Sequence, residues 1–311
     1  ICISFLPGAD IINVLSPVGE KRIVSVRNKE SFFVHNAFRK KYVRYAYDHC
    51  DRIICVSEVV RRDVTDFFGA PASRTQAILN AIEEKHDGKN SYITPISDEH
   101  RAFMDGSRVI VTAGRLNDQK GQDHLIRSFA HLINRGGYDD GKRMIMGKGE
   151  LLDDLKSLTE TLGIANRVLF TGSIHGPEEY LKASSVFVLS SYIEGIPNVI
   201  LEAMQCGLPC ISTECGSREL LAPDTDCLAA TETVDTARYG ILIPVCREHS
   251  SITDTEITDD EILMADAIAK MLDDDMLRTD YINKGYECIE HYTPDRIFGQ
   301  WIEAIKDTME V

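Results

Sequence analysis

Short apolar, β-branched runs alternate along the whole chain with longer stretches whose apolar residues recur at helical spacing. This alternation predicts parallel sheets that are covered by helices on both faces. Helix starts are indicated by Pro177 and by the sequence Thr293–Pro294–Asp295. The acidic, loop-rich stretch 222–260 is left without predicted structure. The apolar runs predict ten strands, at 2–6, 22–27, 52–57, 75–79, 108–114, 142–147, 167–171, 185–190, 208–212 and 239–243.

The predicted strands fall into two groups, four before residue 83 and six after it. Six strands complete a doubly wound sheet by the usual count, whereas four do not. We therefore predict two Rossmann-like α/β domains, at 1–82 and 83–292, the first lacking its opening strands. Because the sequence opens with Ile1 inside a predicted strand, we expect the true N-terminus to lie upstream.

Composition excludes several classes of protein. The chain has 311 residues, of which 43% are hydrophobic and 27% are charged, as in ordinary globular proteins. No apolar run approaches the roughly 18 residues that a membrane span needs, and no signal peptide is visible. The nine cysteines have neither zinc-ribbon nor redox spacing, so we expect reduced thiols in a cytoplasmic protein.

The net charge of −15 is unevenly distributed along the chain. Residues 1–95 hold 14 Lys and Arg against 11 Asp and Glu, whereas the remainder holds 20 against 38. This asymmetry argues against nucleic acid as a partner of the whole chain. It also suggests that the two parts face different surroundings.

The sequence GRLNDQKG at 114–121 joins a predicted strand to a predicted helix. Open α/β sheets bind ligands at the carboxyl ends of their strands, so Arg115 and Lys120 lie where a ligand is expected. Two cations beside a helix N-terminus suit a phosphate or a diphosphate. Solvated loop cations explain the same two residues equally well.

The sequence MGKGEL at 146–151 reads as a strand, a G-x-G turn and a helix. A dinucleotide fingerprint would place its third glycine at position 152, which is Leu152, so an NAD site is poorly supported. A tight turn that lets a ligand approach the backbone at Gly147 and Gly149 is the alternative.

The sequence EGIPNVILEAM at 194–204 places one carboxylate before a helix and a second within it. Pro197 suits the first turn of a helix, and the first-turn N–H groups of Asn198 and Val199 are then expected to offer an anion site. A sugar nucleotide fits this layout, with Glu194 on the hexose and Glu202 on the ribose. The alternative is that Glu194 interacts with the helix dipole and Glu202 is a surface residue.

Taken together and in order, several segments resemble the retaining, nucleotide-sugar-dependent glycosyltransferases of family 4 (group 1). The resemblance is dense over about 80–246 and looser over 1–79. It implies the GT-B fold, in which two Rossmann-like domains face a cleft, with a last helix at 293–311 packing back on the first domain. The matching segments are NAIEE, AGRLNDQKGQDHLI, MGKGELLDDL, NRVLFTGSI, YLKASSVFVLSSYIEGIPNVILEAMQCGLPCIST and GILIPV.

The resemblance implies that Glu194 contacts the donor sugar, Glu202 the ribose, and Arg115 and Lys120 the diphosphate. The two cations then stabilise the leaving group as a metal does elsewhere, so neither a cofactor nor a divalent cation is expected. Retention in such enzymes is attributed to same-face attack by the acceptor within the donor complex. The other implied donor-binding positions are Gly114, Gly147, Gly149, Gly195, Ile196, Pro197, Asn198 and Val199.

Two departures from the family concern the first domain. The glycine-rich loop near its start, which closes over the donor phosphates in relatives, is absent from this sequence. Where many relatives have a histidine after the strand 22–27, this chain has Arg27 and Asn28, which we expect on the acceptor side. Ser57 and Glu58 match another position at the cleft edge, and ordinary strand-end capping is the alternative for them.

Residues 32–47 form an expected helix that interleaves aromatic residues with Arg39, Lys40, Lys41 and Arg44. Such a helix suits an anionic membrane surface, and it equally suits a domain helix with a solvated cationic face. The first interpretation gains from relatives that glycosylate lipid-linked acceptors at the cytoplasmic face. We therefore expect a cytoplasmic protein at the inner face of the cell membrane, without RNA binding.

Two hypotheses from different classes follow. The first is a glycosyltransferase that moves a hexose or N-acetylhexosamine from a nucleotide diphosphate donor, expected to be UDP-linked, to a growing surface glycan. The second is a binding-only protein that holds a sugar nucleotide without transferring it. A sugar-nucleotide epimerase of the same fold is a weaker third, because GRL…KG combined with the two spaced glutamates argues against it.

Overall fold

Two sheets, one in each of two compact units, organise the computed structural model, which describes residues 1–17, 19–82 and 93–310. The α/β architecture with parallel sheets that the sequence predicts is confirmed. The predicted domain boundary at residue 83 lies outside the described residues. Of the described residues, the first unit holds 1–82, 194–197 and 291–310, and the second holds 93–193 and 198–290.

The first unit is built on a four-stranded parallel sheet whose strands are adjacent in chain order. Ile23, Val24, Ile53 and Ile54 in its central strands are completely buried, as expected for a sheet covered on both faces. The strands are β1 (Cys2–Phe5), β2 (Arg22–Val26), β3 (Arg52–Cys55) and β4 (Thr75–Ala77). The helices between them are α1 (Pro7–Leu15), α2 (Glu30–Phe33), α3 (Ala37–Asp48) and α4 (Glu58–Arg62).

The prediction of a single helix over 32–47 is wrong, because the chain forms two helices there. Helix α2 ends at Phe33 and α3 begins at Ala37. The Asn36 side chain accepts a hydrogen bond from the Arg39 backbone N–H at 2.9 Å and so caps α3. An asparagine at the N-cap satisfies one of the free N–H groups of the first turn, which fixes where the helix begins.

The second unit is built on a seven-stranded sheet. Its strands pair in parallel, except that the outermost strand at one edge runs antiparallel to its neighbour. Its strands are β5 (Arg108–Ala113), β6 (Gly141–Met146), β7 (Val168–Gly172), β8 (Val186–Leu189), β9 (Cys210–Thr213), β10 (Asp235–Thr236) and β11 (Ile241–Ile243). Its helices are α5 (Asp98–Met104), α6 (Gln122–Asn134), α7 (Leu152–Thr161), α8 (Glu178–Lys182), α9 (Asn198–Gln205), α10 (Arg218–Leu221), α11 (Asp259–Asp273) and α12 (Asp275–Ile289).

The strand order in this sheet is β10-β11-β9-β8-β5-β6-β7. With the six parallel strands numbered along the chain, this is the 3-2-1-4-5-6 order of a doubly wound dinucleotide-binding fold. The order reverses between β5 and β8, and ligands in such sheets bind outside the carboxyl ends of the strands at that point. The loops that follow β5, β6, β7 and β8 are therefore the place to look for a site.

All ten predicted strands are found, with ends that differ by at most two residues. Strand β10 was not predicted, because it is two polar residues long and pairs antiparallel with β11 at the edge of the sheet. The nine cysteines are free thiols in the described chain. Among the described helices, none combines the length and the apolar composition needed to cross a membrane.

The last helix, α13 (Pro294–Glu310), belongs to the first unit. Its Ile297 and Ala304 are buried in one hydrophobic cluster with Ile23, Ile54 and Ile78 of the first unit. These contacts bury the apolar stripe of α13 against the first sheet, so the chain ends in the same unit in which it begins.

Two fully buried arginines in the second unit have opposite surroundings. Arg127 in α6 donates to Asp123 at 2.8 Å, to Glu261 at 3.3 Å and to the Ile252 carbonyl at 2.6 Å. Arg143 in β6 donates through Nη1 to the Ile110 carbonyl at 3.0 Å, but its Nε and Nη2 have no partner among the described residues. Burial lowers the pKa of Arg143 to about 9. A buried cation without an anion costs free energy of folding.

We expect Arg143→Met to raise the free energy of unfolding by about 1 kcal/mol, because an apolar side chain removes the cost of burying an unpaired charge. The matched control is Arg127→Met, which leaves the buried carboxylate of Glu261 without a cation and should cost about 3 kcal/mol. Urea denaturation of both variants measures the difference. Equal destabilisation by the two changes would contradict the contrast drawn between them.

Candidate functional site

The loops that follow β5, β6 and β7 enclose a pocket of about 370 Å³ within the second unit. The pocket lies at the carboxyl ends of the strands, on the side of β5 away from β8, and Glu202 of α9 also faces it. Arg115 from the loop after β5 and Glu202 from α9 thus bring a cation and an anion to the pocket from separate elements. The lining residues are Ala113, Gly114, Arg115, Met146, Gly147, Lys148, Ser173, Ile174, Pro177 and Glu202.

Backbone hydrogen bonds hold these three loops together. The Gly114 N–H donates to the Met146 carbonyl at 2.9 Å, and the Leu116 N–H donates to the Lys148 carbonyl at 3.0 Å. The Gly147 N–H in turn donates to the carbonyl of Gly172, the last residue of β7, at 2.9 Å. The pocket wall is therefore a continuation of sheet-like pairing beyond the ends of the strands.

Gly147 and Gly149 are required by this close approach. A β-carbon on Gly147 would lie 1.8 Å from the Gly114 carbonyl oxygen, and Gly147 also has a φ of +150°. A β-carbon on Gly149 would lie 2.0 Å from the Leu116 carbonyl oxygen. The sequence suggests a ligand next to these glycines, and the structure places the neighbouring loop of the chain itself against them.

Lys120 lies beside Gly114 but is not among the residues that line the pocket. It ends a one-turn 3₁₀ helix, Asp118–Lys120, and a β-carbon on Gly114 would lie 3.3 Å from Lys120 Cε. The missing side chain of Gly114 thus makes room for the lysine stem. The Lys120 carbonyl accepts a hydrogen bond from Ser190 Oγ at 3.0 Å, which ties the loop after β5 to the loop after β8.

The segment 194–197 groups with the first unit, while Asn198 and Val199 open α9 in the second. Within the first unit, Ser57 Oγ donates to the Gly195 carbonyl at 2.7 Å. A β-carbon on Gly195 would lie 2.0 Å from the Arg27 carbonyl oxygen, so this position also requires glycine. Glu194 is half-buried.

The expected acceptor-side residues follow β2 and β3: Arg27 and Asn28 lie in the loop after β2, Ser57 precedes α4 and Glu58 begins it. The Arg27 guanidinium donates to the Asn80 side chain, and burial lowers the pKa of Arg27. Ser57 accepts from the Val60 N–H at 3.2 Å and so caps α4, in addition to its bond to Gly195. The Ser57 hydroxyl therefore both caps a helix and holds the segment 194–197.

Glu58 pairs with arginines of its own helix. Its carboxylate accepts two hydrogen bonds of 2.6 Å from Arg61 and lies 3.5 Å from Arg62. The hydrogen bonds from Arg61 lower the pKa of Glu58 and outweigh the opposing effect of burial. The carboxylate is thus ionised and already has cationic partners.

Several pocket residues were not identified from the sequence. Lys148 lies between the two glycines of the turn after β6, and Ser173 and Ile174 follow β7 directly. The rule that ligands bind at the carboxyl ends of parallel strands would have found all three, because each comes within three residues of a predicted strand end. A second cation, Lys148, therefore joins Arg115 at the pocket.

Comparison with known proteins agrees with this architecture. A family model described as Glycosyl transferases group 1 matches residues 107–242, and one described as Glycosyltransferase Family 4 matches residues 27–86. An uncharacterised glycosyltransferase of Methanocaldococcus jannaschii is 32% identical over 273 residues, which cover 86% of this chain and 66% of the relative.

A second relative, from Campylobacter jejuni, is N-acetylgalactosamine-N,N'-diacetylbacillosaminyl-diphospho-undecaprenol 4-alpha-N-acetylgalactosaminyltransferase. It is 28% identical over 247 residues, which cover 79% of this chain and 57% of the relative. The chain thus spans less than two thirds of the length of these two curated relatives. The crystal structure of Anabaena HepE in complex with UDP matches with a TM-score of 0.75 at 18% identity, covering 98% of this chain and 78% of that one. This likeness confirms the predicted GT-B fold.

The close approach at Gly147 leads to a test of stability. We expect Gly147→Ala to lower the free energy of unfolding by about 3 kcal/mol, because it adds a clash with the Gly114 carbonyl to the strain of its positive φ. Gly163→Ala is the matched control, since Gly163 has a φ of +70° and nothing within 4 Å of an added β-carbon. That control should cost only about 1 kcal/mol. Equal thermal unfolding midpoints for the two variants would argue against the contact.

Proposed function

Because this chain belongs to the group 1, family 4 glycosyltransferases, we propose that it is a retaining enzyme that transfers a hexose or N-acetylhexosamine from a UDP-linked donor. The proposed acceptor is a glycan or a lipid-linked saccharide in surface polysaccharide synthesis. The observation that carries the proposal is the pocket at the ends of β5, β6 and β7, which both Arg115 and Glu202 line. A cation and a carboxylate at this edge of a doubly wound sheet suit the diphosphate and the ribose of a nucleotide sugar.

The nucleotide part of the donor is assigned to the second unit. We assign the diphosphate to Arg115, Lys120 and the N–H groups that open α9 at Asn198 and Val199. This assignment is supported by Lys120 packing on Gly114, next to Arg115. Glu202, four residues into α9, is assigned to the ribose hydroxyls. The crystal structure of HepE with UDP supports a uridine nucleotide as the donor class.

Negative charge develops on the diphosphate as the bond to the sugar breaks. Arg115 and Lys120 stabilise that charge, which supplies the electrostatic assistance that a metal ion gives in other transferases. Glu194 is assigned to the hexose hydroxyls, because it lies along the chain between the end of β8 and the start of α9, the helix that carries Glu202. The acceptor hydroxyl attacks from the face that the diphosphate leaves, so the configuration at the anomeric carbon is retained.

The acceptor is assigned to the first unit, through Arg27, Asn28, Ser57 and Glu58. The Campylobacter relative is named for a diphospho-undecaprenol-linked saccharide, which supports a lipid-linked acceptor for this chain. Arg27 is the residue best suited to bind such an acceptor, because a guanidinium pairs with a diphosphate through two parallel hydrogen bonds.

A lipid-linked acceptor requires that the enzyme reach a membrane, and α3 suits that task. Its Arg39, Lys41 and Arg44 are exposed, and Phe38 beside them is 80% exposed. Cations flanking exposed aromatic residues favour the surface of an anionic bilayer. We therefore propose a cytoplasmic protein that binds the inner face of the cell membrane through 32–47.

The assigned carboxylates are tested by separate substitutions. We expect Glu194→Ala to lower the transfer rate by about 100-fold or more while UDP still binds, because its partner is the sugar. Glu202→Ala should weaken UDP binding by about 10-fold, since it removes charge-assisted hydrogen bonds to the ribose. Calorimetric titration with UDP and a transfer assay with a UDP-sugar measure the two effects, both in EDTA because no divalent cation is required.

Glu160→Ala, at an exposed glutamate of α7, is the control and should change neither quantity. Unchanged turnover in the Glu194 variant would overturn the role assigned to that residue. UDP binding without product in the unmodified protein would favour a binding-only protein. An altered free sugar nucleotide in mass spectra would favour an epimerase.

Membrane binding is tested by replacing Arg39, Lys41 and Arg44 together with Gln. Partitioning onto phosphatidylglycerol vesicles should fall by about 100-fold, because each cation near an anionic surface contributes about 1 kcal/mol. The control replaces three other exposed cations, Lys156, Lys182 and Lys306, with Gln and changes the net charge equally. Equal partitioning of the two variants in sedimentation assays would rule out α3 as the membrane contact.

A further inference from the structure

A chain of hydrogen bonds between side chains leads from the buried interior of the second unit to Tyr192, two residues before Glu194. The Tyr192 hydroxyl lies 2.6 Å from His124 Nε2, and His124 Nδ1 lies 2.7 Å from Glu261 Oε1. His124 and Glu261 are completely buried. The three residues come from the loop after β8 and from the helices α6 and α11.

The donors and acceptors of this chain have a definite direction. Burial opposes ionisation of Glu261, but hydrogen bonds from His124, from the Thr258 backbone and from His249 outweigh it and lower the pKa of Glu261. The ionised carboxylate accepts a hydrogen bond from the N–H at His124 Nδ1. Nε2 is then left as an acceptor, and the Tyr192 hydroxyl donates to it.

The same loop is also held through its backbone. The Tyr192 N–H donates to the Gln119 carbonyl at 2.9 Å, and Gln119 Nε2 donates to the Ile193 carbonyl at 2.7 Å. These two bonds join the loop after β8 to the loop that carries Lys120. The phenol of Tyr192 adds a side-chain hydrogen bond that ties this loop to α6.

A metal site is the alternative for this cluster, because ligand atoms of His124, His249 and Glu261 all lie within 4.8 Å of one another. The surroundings favour hydrogen bonds instead. The Arg127 guanidinium lies 3.3 Å from the same Glu261 oxygen, and it would repel a metal cation. The His124 and His249 nitrogens are 2.7 and 2.8 Å from that oxygen, which is hydrogen-bond distance.

We propose that Glu261, His124 and Tyr192 are positioning residues for glycosyl transfer. Their hydrogen bonds fix the loop after β8 and so set the direction in which the chain continues from Ile193 into Glu194. This inference rests on the role proposed for Glu194. It accounts for a histidine and a carboxylate that are completely buried, away from the pocket lined by Arg115 and Glu202.

The chain offers a matched pair of substitutions. Tyr192→Phe removes the hydroxyl that bonds to His124 and keeps the ring. Tyr180→Phe removes the hydroxyl of another tyrosine of the second unit, which lies 3.0 Å from His100 Nδ1 and belongs to α8. Each variant loses one tyrosine–histidine bond, but only the first loses a bond that anchors the loop before Glu194.

We expect Tyr192→Phe to lower kcat by about 10-fold, because a small displacement of a substrate-positioning group slows the chemical step. The Kd for UDP should change by less than about 3-fold, since the backbone bonds to Gln119 remain and the nucleotide is held elsewhere. Amide hydrogen exchange in residues 190–193 should become about 5-fold faster, as expected for the loss of one hydrogen bond. Tyr180→Phe should show none of these changes.

Equal kcat for the two variants would overturn the inference, and so would a parallel loss of kcat and UDP affinity in Tyr192→Phe. The failure of the proposed function would look different, because the unmodified protein would then neither bind UDP nor form product. Hydrogen exchange can be measured without enzymatic activity, so in that case it still tests whether Tyr192 anchors the loop. Unchanged exchange at 190–193 in Tyr192→Phe overturns the anchor, and faster exchange there, absent in Tyr180→Phe, supports it.

Discussion

Backbone pairing between loops beyond the ends of β5, β6 and β7 is the constraint on which the candidate site depends. Two glycines make it possible, because β-carbons at Gly147 and Gly149 would lie within about 2 Å of carbonyl oxygens in the loop 114–116. The paired loops bring Arg115 to a fixed place beside the start of the turn at 147–149. A rigid backbone scaffold of this kind holds the polar side chains of the site in fixed positions.

Buried charge follows a similar logic in the second unit. Arg127, Asp123 and Glu261 satisfy one another, and Glu261 also accepts from two histidines. This network connects α6 and α11 and reaches the loop after β8 through Tyr192. Networks that are fully hydrogen-bonded specify one arrangement of their elements, because every alternative leaves a buried group unsatisfied. Arg143 lacks such partners among the described residues, which marks its position as costly to the fold.

Much of the fold could be predicted from local patterns. Runs such as RVIVTA and SVFVLS identify buried parallel strands, because only such strands are apolar on both faces. Strand β10 escaped prediction since two polar residues carry no periodic signal, and the break between α2 and α3 escaped because the cap at Asn36 lies inside an amphipathic pattern. For the site, strand ends located Arg115, and the resemblance assigned Glu202 to the donor. Contacts that join distant parts of the chain could not be predicted, because they produce no pattern in the local sequence. An example is the contact of His124 with Glu261, at a separation of 137 residues.

The sequence by itself determined the element order, the family and the candidate donor residues, since these depend on residue types at fixed spacing along the chain. Only the tertiary structure decided which loops touch, what the two glycines after β6 accommodate, and which buried charges have partners. The physical reason is that hydrogen bonds and steric contacts act over a few ångströms of space regardless of chain separation. Spacing along a sequence therefore fixes local conformation, and folding alone brings Tyr192, His124 and Glu261 together.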